Sequence, residues 1–291
     1  MLLNLREYHR PVAETPDRGL SHALELFARR EVRTAVLAGG DTLLAAHDTT
    51  IEAVVDLQGL GLDFITADAN QAGLRIGALT TRAALAGHEA ARASYDGILA
   101  EAARRWSGSV QRNRATVGGA VAVAAPNDPL LAALLACDAR VVLADRAGEQ
   151  QRSLGEFLAR RTALLAAPAI ITELWVSWPA SHTGAALASV ARTLADAPIV
   201  IAAAVVQRDG EQCGAARLAL GGVAEAPWDA SSLAAGLIGR PWTAAAVAAL
   251  AGRVAETVRP TGDFRGSAEY RQAMAEVLSA RALAAAWHRA A

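Results

Sequence analysis

Two pairs of glycines in this sequence follow β-prone segments and could present backbone amides to an anion. The first pair, Gly39 and Gly40, comes directly after the short apolar run that ends at Leu37 and Ala38. Glycine lets the chain turn sharply, and consecutive N–H groups in such a turn form a concavity that binds phosphate without any side-chain charge. The alternative is an ordinary turn between a strand and a helix, since short glycine-rich loops are weak signals.

The second pair, Gly118 and Gly119, follows the β-branched residues Thr116 and Val117. Two loops of this kind, each after an extended segment, could close on the two phosphates of one dinucleotide. Neither loop has the spacing G-x-G-x-x-G or G-x-x-x-x-G-K-[ST], so the sequence predicts neither a Rossmann nor a Walker site. The alternative is that the second pair lies where helices pack closely together.

Two aspartates near these loops are candidate helix caps. Asp41 would repel a pyrophosphate, so we expect Asp41 or Thr42 to cap the short helix that follows. Asp128 is expected to cap a helix that begins at Leu130, with Pro129 in its first position. Binding of a ribose by the Asp128 carboxylate is the functional alternative.

The composition excludes several classes of site. The net charge is −1 and the chain has no lysine, so neither a basic nucleic-acid surface nor a Schiff-base lysine is expected. Two separated cysteines, Cys137 and Cys213, cannot supply the four thiolates of an iron–sulfur cluster, and no metal site or catalytic constellation is evident. No apolar run reaches the ~18–20 residues of a membrane-spanning helix and no signal peptide is evident, which predicts a cytoplasmic protein.

The elements that must position these loops are mixed. We expect a strand at 34–37, a strand at 54–57 and a hairpin over 63–76 that turns at Asn70 and Gly73. Thr80 and Thr81 are expected to cap the next helix. Further predicted elements are helices at 20–30, 98–106 and 130–137, strands at 140–144, 170–178, 199–207 and 216–221, and helical segments from 244 onward. Residues 179–184 are the best candidate linker between two domains.

Three sequence blocks together resemble one protein family. They are LAGGDTLL, RIGALTTRAALA and QRNRATVGGAVAVAAPNDPLLAALLACDA, and their order is similar to that in the FAD-binding medium subunit of the xanthine dehydrogenase and carbon monoxide dehydrogenase (molybdenum hydroxylase) family. The segments ITEL at 171–174 and GDFRGSAEYR at 262–271 extend the resemblance over nearly the whole chain.

The resemblance implies an α+β fold in two domains. Residues 1–178 would form a two-lobed α/β FAD-binding domain of the PCMH or vanillyl-alcohol-oxidase-like type, with lobes at roughly 1–58 and 59–178. Residues 179–291 would form a C-terminal α+β domain with an antiparallel sheet and helices, of the CO dehydrogenase flavoprotein type.

The resemblance also implies a set of FAD-binding residues. Both glycine loops would lie at the pyrophosphate, the aspartate toward the adenosine, and the isoleucine against the flavin. These residues are Leu37, Ala38, Gly39, Gly40, Asp41, Thr42, Thr116, Val117, Gly118, Gly119, Ala120, Asp128 and Ile171. Three positions depart from the family pattern: Ala120 replaces an asparagine, Asp41-Thr42 replaces the usual pair after the first glycines, and Ser189 stands where a lysine is common.

The function implied by the resemblance is that of an oxidoreductase subunit. A molybdenum-cofactor large subunit would oxidise the substrate, and a [2Fe-2S] small subunit would pass electrons to FAD, which hands them to NAD, a quinone or oxygen. Two alternatives remain open: a stand-alone flavin oxidase, which would need its own base, and a flavin-free structural or assembly subunit of the same fold.

Overall fold

The computed structural model describes residues 4–12, 16–68, 73–193 and 196–291. The helices are α1 (Pro16–Phe27), α2 (Asp41–Ala45), α3 (Arg82–Gly87), α4 (Glu89–Ala93), α5 (Ile98–Arg104), α6 (Ser109–Arg112), α7 (Val117–Val123), α8 (Pro129–Ala136), α9 (Leu154–Leu164), α10 (Ser231–Ala234), α11 (Ala244–Thr257) and α12 (Ala268–Arg289). The strands are β1 (Glu7–His9), β2 (Thr34–Leu37), β3 (Ala53–Asp56), β4 (Ile65–Asp68), β5 (Gly73–Gly77), β6 (Arg140–Asp145), β7 (Gly148–Ser153), β8 (Ile170–Ser177), β9 (Thr183–Val190), β10 (Val200–Asp209), β11 (Gln212–Gly221) and β12 (Trp228–Asp229). Short 3-10 helices occupy Leu57–Leu60, Ser94–Gly97 and Ala235–Leu237.

The first lobe is built on a small parallel sheet of order β1-β3-β2. Parallel neighbours need crossover connections, and α1 supplies one of them between β1 and β2. The core of this lobe includes Leu24 of α1 and Val55 of β3, and it extends to Ala144 and Ile170 of the second lobe. The two lobes are therefore packed directly against each other.

The second lobe contains a five-stranded antiparallel sheet of order β4-β5-β8-β6-β7. The predicted hairpin is present as the β4–β5 pair, while Asn70, expected at its turn, lies outside the described residues. Helix α8 (PLLAALLA) is buried on every side, because it lies between this lobe and the C-terminal sheet. A helix that is apolar all round is typical of such an enclosed position.

The C-terminal domain is a four-stranded antiparallel sheet of order β12-β11-β10-β9. Residues 200–206 of strand β10 form an unbroken apolar run because both faces of this part of the strand are covered. Ile201 and Ala203 join the core around α8, whereas Ala202 and Ala204 join the core beneath α11 and α12. The predicted α+β architecture is confirmed, although β9 begins at Thr183, inside the segment expected to be a linker.

Two local predictions near the glycine loops were wrong. Helix α2 begins at Asp41, and its cap residue is Gly40 in a left-handed conformation with φ 73°, so neither Asp41 nor Thr42 caps it. Gly118 and Gly119 lie in the first turn of helix α7 and not in an open loop. The glycine at position 40 tolerates the left-handed entry into α2, and the Thr116 side chain caps α7, a helix that the sequence analysis did not predict.

Both cysteines are free and buried. Burial raises the pKa of the Cys137 thiol above its usual range and that of Cys213 to about 11. Both thiols are therefore protonated near neutral pH and are poor nucleophiles. In the described part of the chain, no helix is long and apolar enough to cross a membrane.

Candidate cofactor-binding site

A cavity of about 440 Å³ opens between the two lobes. Its size is within the ~300–1,000 Å³ range of cofactor and ligand sites. The first lobe contributes the turn after β2, and the second contributes the start of α7 and the beginning of β8. The cavity wall includes eleven of the residues predicted to bind FAD: Ala38, Gly39, Gly40, Asp41, Thr42, Thr116, Gly118, Gly119, Ala120, Asp128 and Ile171.

The two other predicted residues, Leu37 and Val117, lie next to the cavity wall without forming part of it. Leu37 is the last residue of β2, and its Cδ1 atom would be 3.1 Å from a Cβ placed on Gly40. Val117 is fully buried in the core of the second lobe. Both residues support the loops from behind.

The first glycine turn leaves several backbone amides unpaired. The left-handed Gly40 starts α2, and the first amides of a helix have no partner within the helix. Within the described residues, the amides of Gly39, Gly40, Asp41 and Thr42 donate to no protein acceptor. These amides are available to a bound anion at the cavity wall.

The two lobes approach each other closely at Gly39. A Cβ built on Gly39 would lie 1.6 Å from the carbonyl oxygen of Arg114 and 3.3 Å from Cγ2 of Thr116. No side chain can occupy this space, so glycine is required for the approach and not merely for the turn. The two glycine pairs, which are distant in sequence, are thus brought onto one cavity.

The second glycine pair uses its amides differently. The amide of Gly118 donates to the Ala78 carbonyl at 2.8 Å, and that of Gly119 donates to Thr116 Oγ1 at 3.1 Å. A Cβ on Gly118 would be 2.6 Å from the Ala78 Cβ. Gly118 therefore fits the alternative interpretation, in which the second pair permits close packing. The two glycine pairs do not offer equivalent sets of unpaired amides, because the amides of Gly118 and Gly119 already have protein acceptors.

Thr116 fixes the start of α7 and hence the floor of the cavity. Replacing Thr116 with alanine removes the hydroxyl that accepts from Gly119, and a lost N-cap costs about 1 kcal/mol of stability. We expect thermal unfolding of Thr116→Ala to begin a few degrees lower than that of the wild type. Thr116→Ser keeps the hydroxyl and should unfold as the wild type does; equal loss in both variants would contradict the capping role.

Asp128 and Arg82 form an ion pair that is almost wholly enclosed, with each side chain 1% exposed. The Arg82 Nη1 donates to Asp128 Oδ1 at 3.0 Å, and Nη2 donates to Oδ2. Asp128 also caps α8 by accepting from the Leu130 amide at 2.9 Å, as the sequence predicted. Both carboxylate oxygens thus have protein partners, while the ribose contact stays a prediction.

Sequence reasoning did not identify Arg82 or Trp106 as residues of the site. The Arg82 guanidinium lies 4.4 Å from the centre of the Trp106 ring, and both side chains line the cavity. The Arg82 Nε atom is buried and has no hydrogen-bond partner within the described residues. The single signal in the sequence was the position of Arg82 directly after the predicted Thr80-Thr81 cap.

The remainder of the cavity wall is mostly apolar. Among its members are Phe27, Val36, Leu57, Ala78, Leu79, Leu165, Ala169 and Ile170. Such a wall excludes water and suits a flat aromatic ring system. In the described part of the chain, no group of three or more His, Cys, Asp or Glu side chains is placed to hold a metal ion.

Comparison with known families identifies the class to which this site belongs. Residues 13–179 match the FAD-binding domain in molybdopterin dehydrogenase, and residues 185–286 match the CO dehydrogenase flavoprotein C-terminal domain. The chain therefore belongs to the family of FAD-binding subunits of the molybdenum hydroxylases. FAD is its cofactor, and it is a flavoprotein component of an oxidoreductase.

Individual relatives support this assignment over the full length. The chain is 30% identical to the carbon monoxide dehydrogenase medium chain of Hydrogenophaga pseudoflava, with 98% of each chain covered. It is 31% identical to the 6-hydroxypseudooxynicotine dehydrogenase complex subunit alpha of Paenarthrobacter nicotinovorans, with 93% of each covered. The carbon monoxide dehydrogenase structure from Hydrogenophaga pseudoflava matches with a TM-score of 0.91 over 100% of both chains at 30% identity.

Proposed function

We propose that this chain relays electrons within a molybdenum hydroxylase. It would accept them from the [2Fe-2S] clusters of a small subunit and deliver them through FAD to NAD, a quinone or oxygen, while a molybdenum-cofactor large subunit oxidises the substrate. The support comes from relatives that are named as medium chains or complex subunits, and from a similar solved structure whose description refers to a molybdenum cofactor.

The observation that carries the proposal is the cavity where the lobes meet at Gly39. When bound, FAD supplies redox chemistry that amino-acid side chains cannot perform. The contribution of this chain is to hold and orient that cofactor. The unpaired amides of Gly40, Asp41 and Thr42 are suited to phosphate oxygens, and the apolar wall that includes Ile171 is suited to the ring system.

The ionisable groups of the cavity favour a relay over a stand-alone oxidase. An oxidase needs a base within reach of its substrate. Among the residues that the structure describes, the ionisable side chains of the cavity wall are Asp41, Arg82 and Asp128, and the last two are paired with each other. Asp41 lies in the first turn of α2, at the glycine turn that we propose holds the phosphates.

The proposal is tested by purifying the full-length tagged chain from its native host. We expect molybdenum, iron and FAD to be present in the complex, as measured by metal analysis and by the visible absorbance of the flavin. A metal-free preparation would contradict the hydroxylase assignment, and a colourless complex that takes up no FAD would instead favour the scaffold alternative.

Electron flow is then followed in the same complex. After anaerobic reduction with dithionite, re-oxidation by NAD, a quinone and oxygen is recorded separately at the flavin and at the iron–sulfur bands. We expect the complex assembled with Gly39→Ala to re-oxidise its clusters slowly with every acceptor. Equal rates with and without FAD would overturn the relay.

A further inference from the structure

We infer that Arg114 supplies the positive charge that balances the diphosphate of the bound dinucleotide. This inference rests on the proposed FAD site and deepens it by naming a charge partner. Arg114 is not itself a residue of the cavity wall, and its side chain is exposed. It enters the argument because of its position over the first glycine turn.

The side chains of the cavity wall do not balance the charge of a dianion. Among the described residues, the ionisable side chains of the wall are Asp41, Arg82 and Asp128, which together carry a net charge of −1. Arg82 and Asp128 neutralise each other in a buried pair, so the charge that remains is the Asp41 carboxylate in the first turn of α2. The amides of this turn attract a dianion and the Asp41 carboxylate repels it, so a cation close to the turn would strengthen binding.

Arg114 lies where that cation is needed. Its Nη2 atom is 3.4 Å from the position of a Cβ built on Gly40, at the turn whose amides are unpaired. Its backbone carbonyl packs against Gly39, which fixes the base of the side chain relative to that turn. Arg114 thereby places its main chain against Gly39 and its guanidinium beside Gly40.

The Arg114 guanidinium is free to bind. Within the described residues it forms neither a salt bridge nor a side-chain hydrogen bond, so its N–H donors are available to phosphate oxygens. The Arg112 guanidinium in the same segment already has a protein acceptor, since its Nη1 donates to the carbonyl of Ser107. The chain has no lysine, so its permanently charged cationic side chains are all arginines.

The inference is tested with three full-length variants and two ligands. Arg114→Gln removes the charge, Arg114→Lys retains it, and Arg281→Gln removes a charge from an exposed position on α12 as the matched control. Flavin fluorescence gives the Kd for FAD and for riboflavin, which has no phosphate, at low and high ionic strength.

We expect Arg114→Gln to raise the Kd for FAD about tenfold at low ionic strength, with a smaller difference at high ionic strength because salt screens exposed charges. Riboflavin affinity should be the same in all variants, Arg114→Lys should bind FAD more tightly than Arg114→Gln, and Arg281→Gln should behave as the wild type.

An Arg114→Gln protein with the FAD affinity of the wild type at low salt would overturn the inference while leaving the FAD site in place. An equal loss of riboflavin affinity would overturn it too, since that would indicate a change in cavity shape. If the wild-type protein bound no FAD, it is the proposed function that would fail.

Discussion

The Gly39→Ala variant will lose tight FAD binding although it gains a single methyl group. The added Cβ would lie 1.6 Å from the Arg114 carbonyl oxygen and 2.6 Å from the Arg114 carbonyl carbon, both of which belong to the main chain. A contact of this kind cannot be relieved by rotating a side chain, so the main chain at residue 39 and that of Arg114 must move apart at the cavity. Overpacking strain of about 2–3 kcal/mol corresponds to a rise in Kd of about 30- to 150-fold.

The measurement is the FAD content of the purified protein and its Kd by fluorescence titration. Gly252→Ala is the matched control, since Gly252 lies inside α11 and a Cβ there would meet nothing within 4 Å. Because glycine weakens a helix interior, Gly252→Ala should be more stable than the wild type by about 0.5–1 kcal/mol, and it should retain the FAD content of the wild type. A Gly39→Ala protein with the FAD content and the Kd for FAD of the wild type would show that FAD binding does not need this close approach of the lobes.

The contrast between these glycines shows what the sequence could and could not reveal. The paired glycines drew attention to both turns, and the structure places both pairs on one cavity. The pattern alone could not distinguish their tasks, because the reason for Gly39 is the Arg114 carbonyl and the reason for Gly118 is Ala78. Both neighbours are distant in sequence, and no local pattern encodes them.

Much of the fold followed from periodicity. The strands β2 and β8 and the helix α8 lie where alternation and caps indicated. Strand β9 was not predicted at all, since its residues (TGAALASV) are small and poor in β-branched side chains. Its place in the sheet is set by pairing with β10, which is a tertiary effect.

The buried half of the site was the least predictable. The Arg82–Asp128 pair joins residues 46 positions apart, and Arg82 is one of 28 arginines in a chain without lysine. Charged residues are normally exposed, so nothing in the composition marks one of them as 1% exposed. The Asp128 cap was predicted because its partner, the Leu130 amide, is local.

Replacing Asp128 with alanine will lower the free energy of unfolding by about 3–5 kcal/mol, because it leaves the Arg82 guanidinium buried without its counter-ion. Loss of the cap on α8 adds about 1 kcal/mol. Chemical denaturation of the full-length protein measures the change. The exposed Arg6–Glu52 pair is the control: Glu52→Ala should cost less than about 1 kcal/mol, since side chains 76% and 33% exposed are screened by solvent.

The double variant Arg82→Leu with Asp128→Ala separates the structural task of Asp128 from a binding task. Removing both charges should recover much of the stability lost in Asp128→Ala, because no unpaired ion is left in the interior. If the recovered protein binds FAD nearly as well as the wild type, the carboxylate acts through the fold. If it is stable and binds FAD weakly, the pair contacts the cofactor, as the sequence resemblance implied for Asp128. A loss of stability in Asp128→Ala no larger than that in Glu52→Ala would contradict the energetic argument itself. Leaving a buried charge without its partner should cost more stability than leaving an exposed charge without its partner.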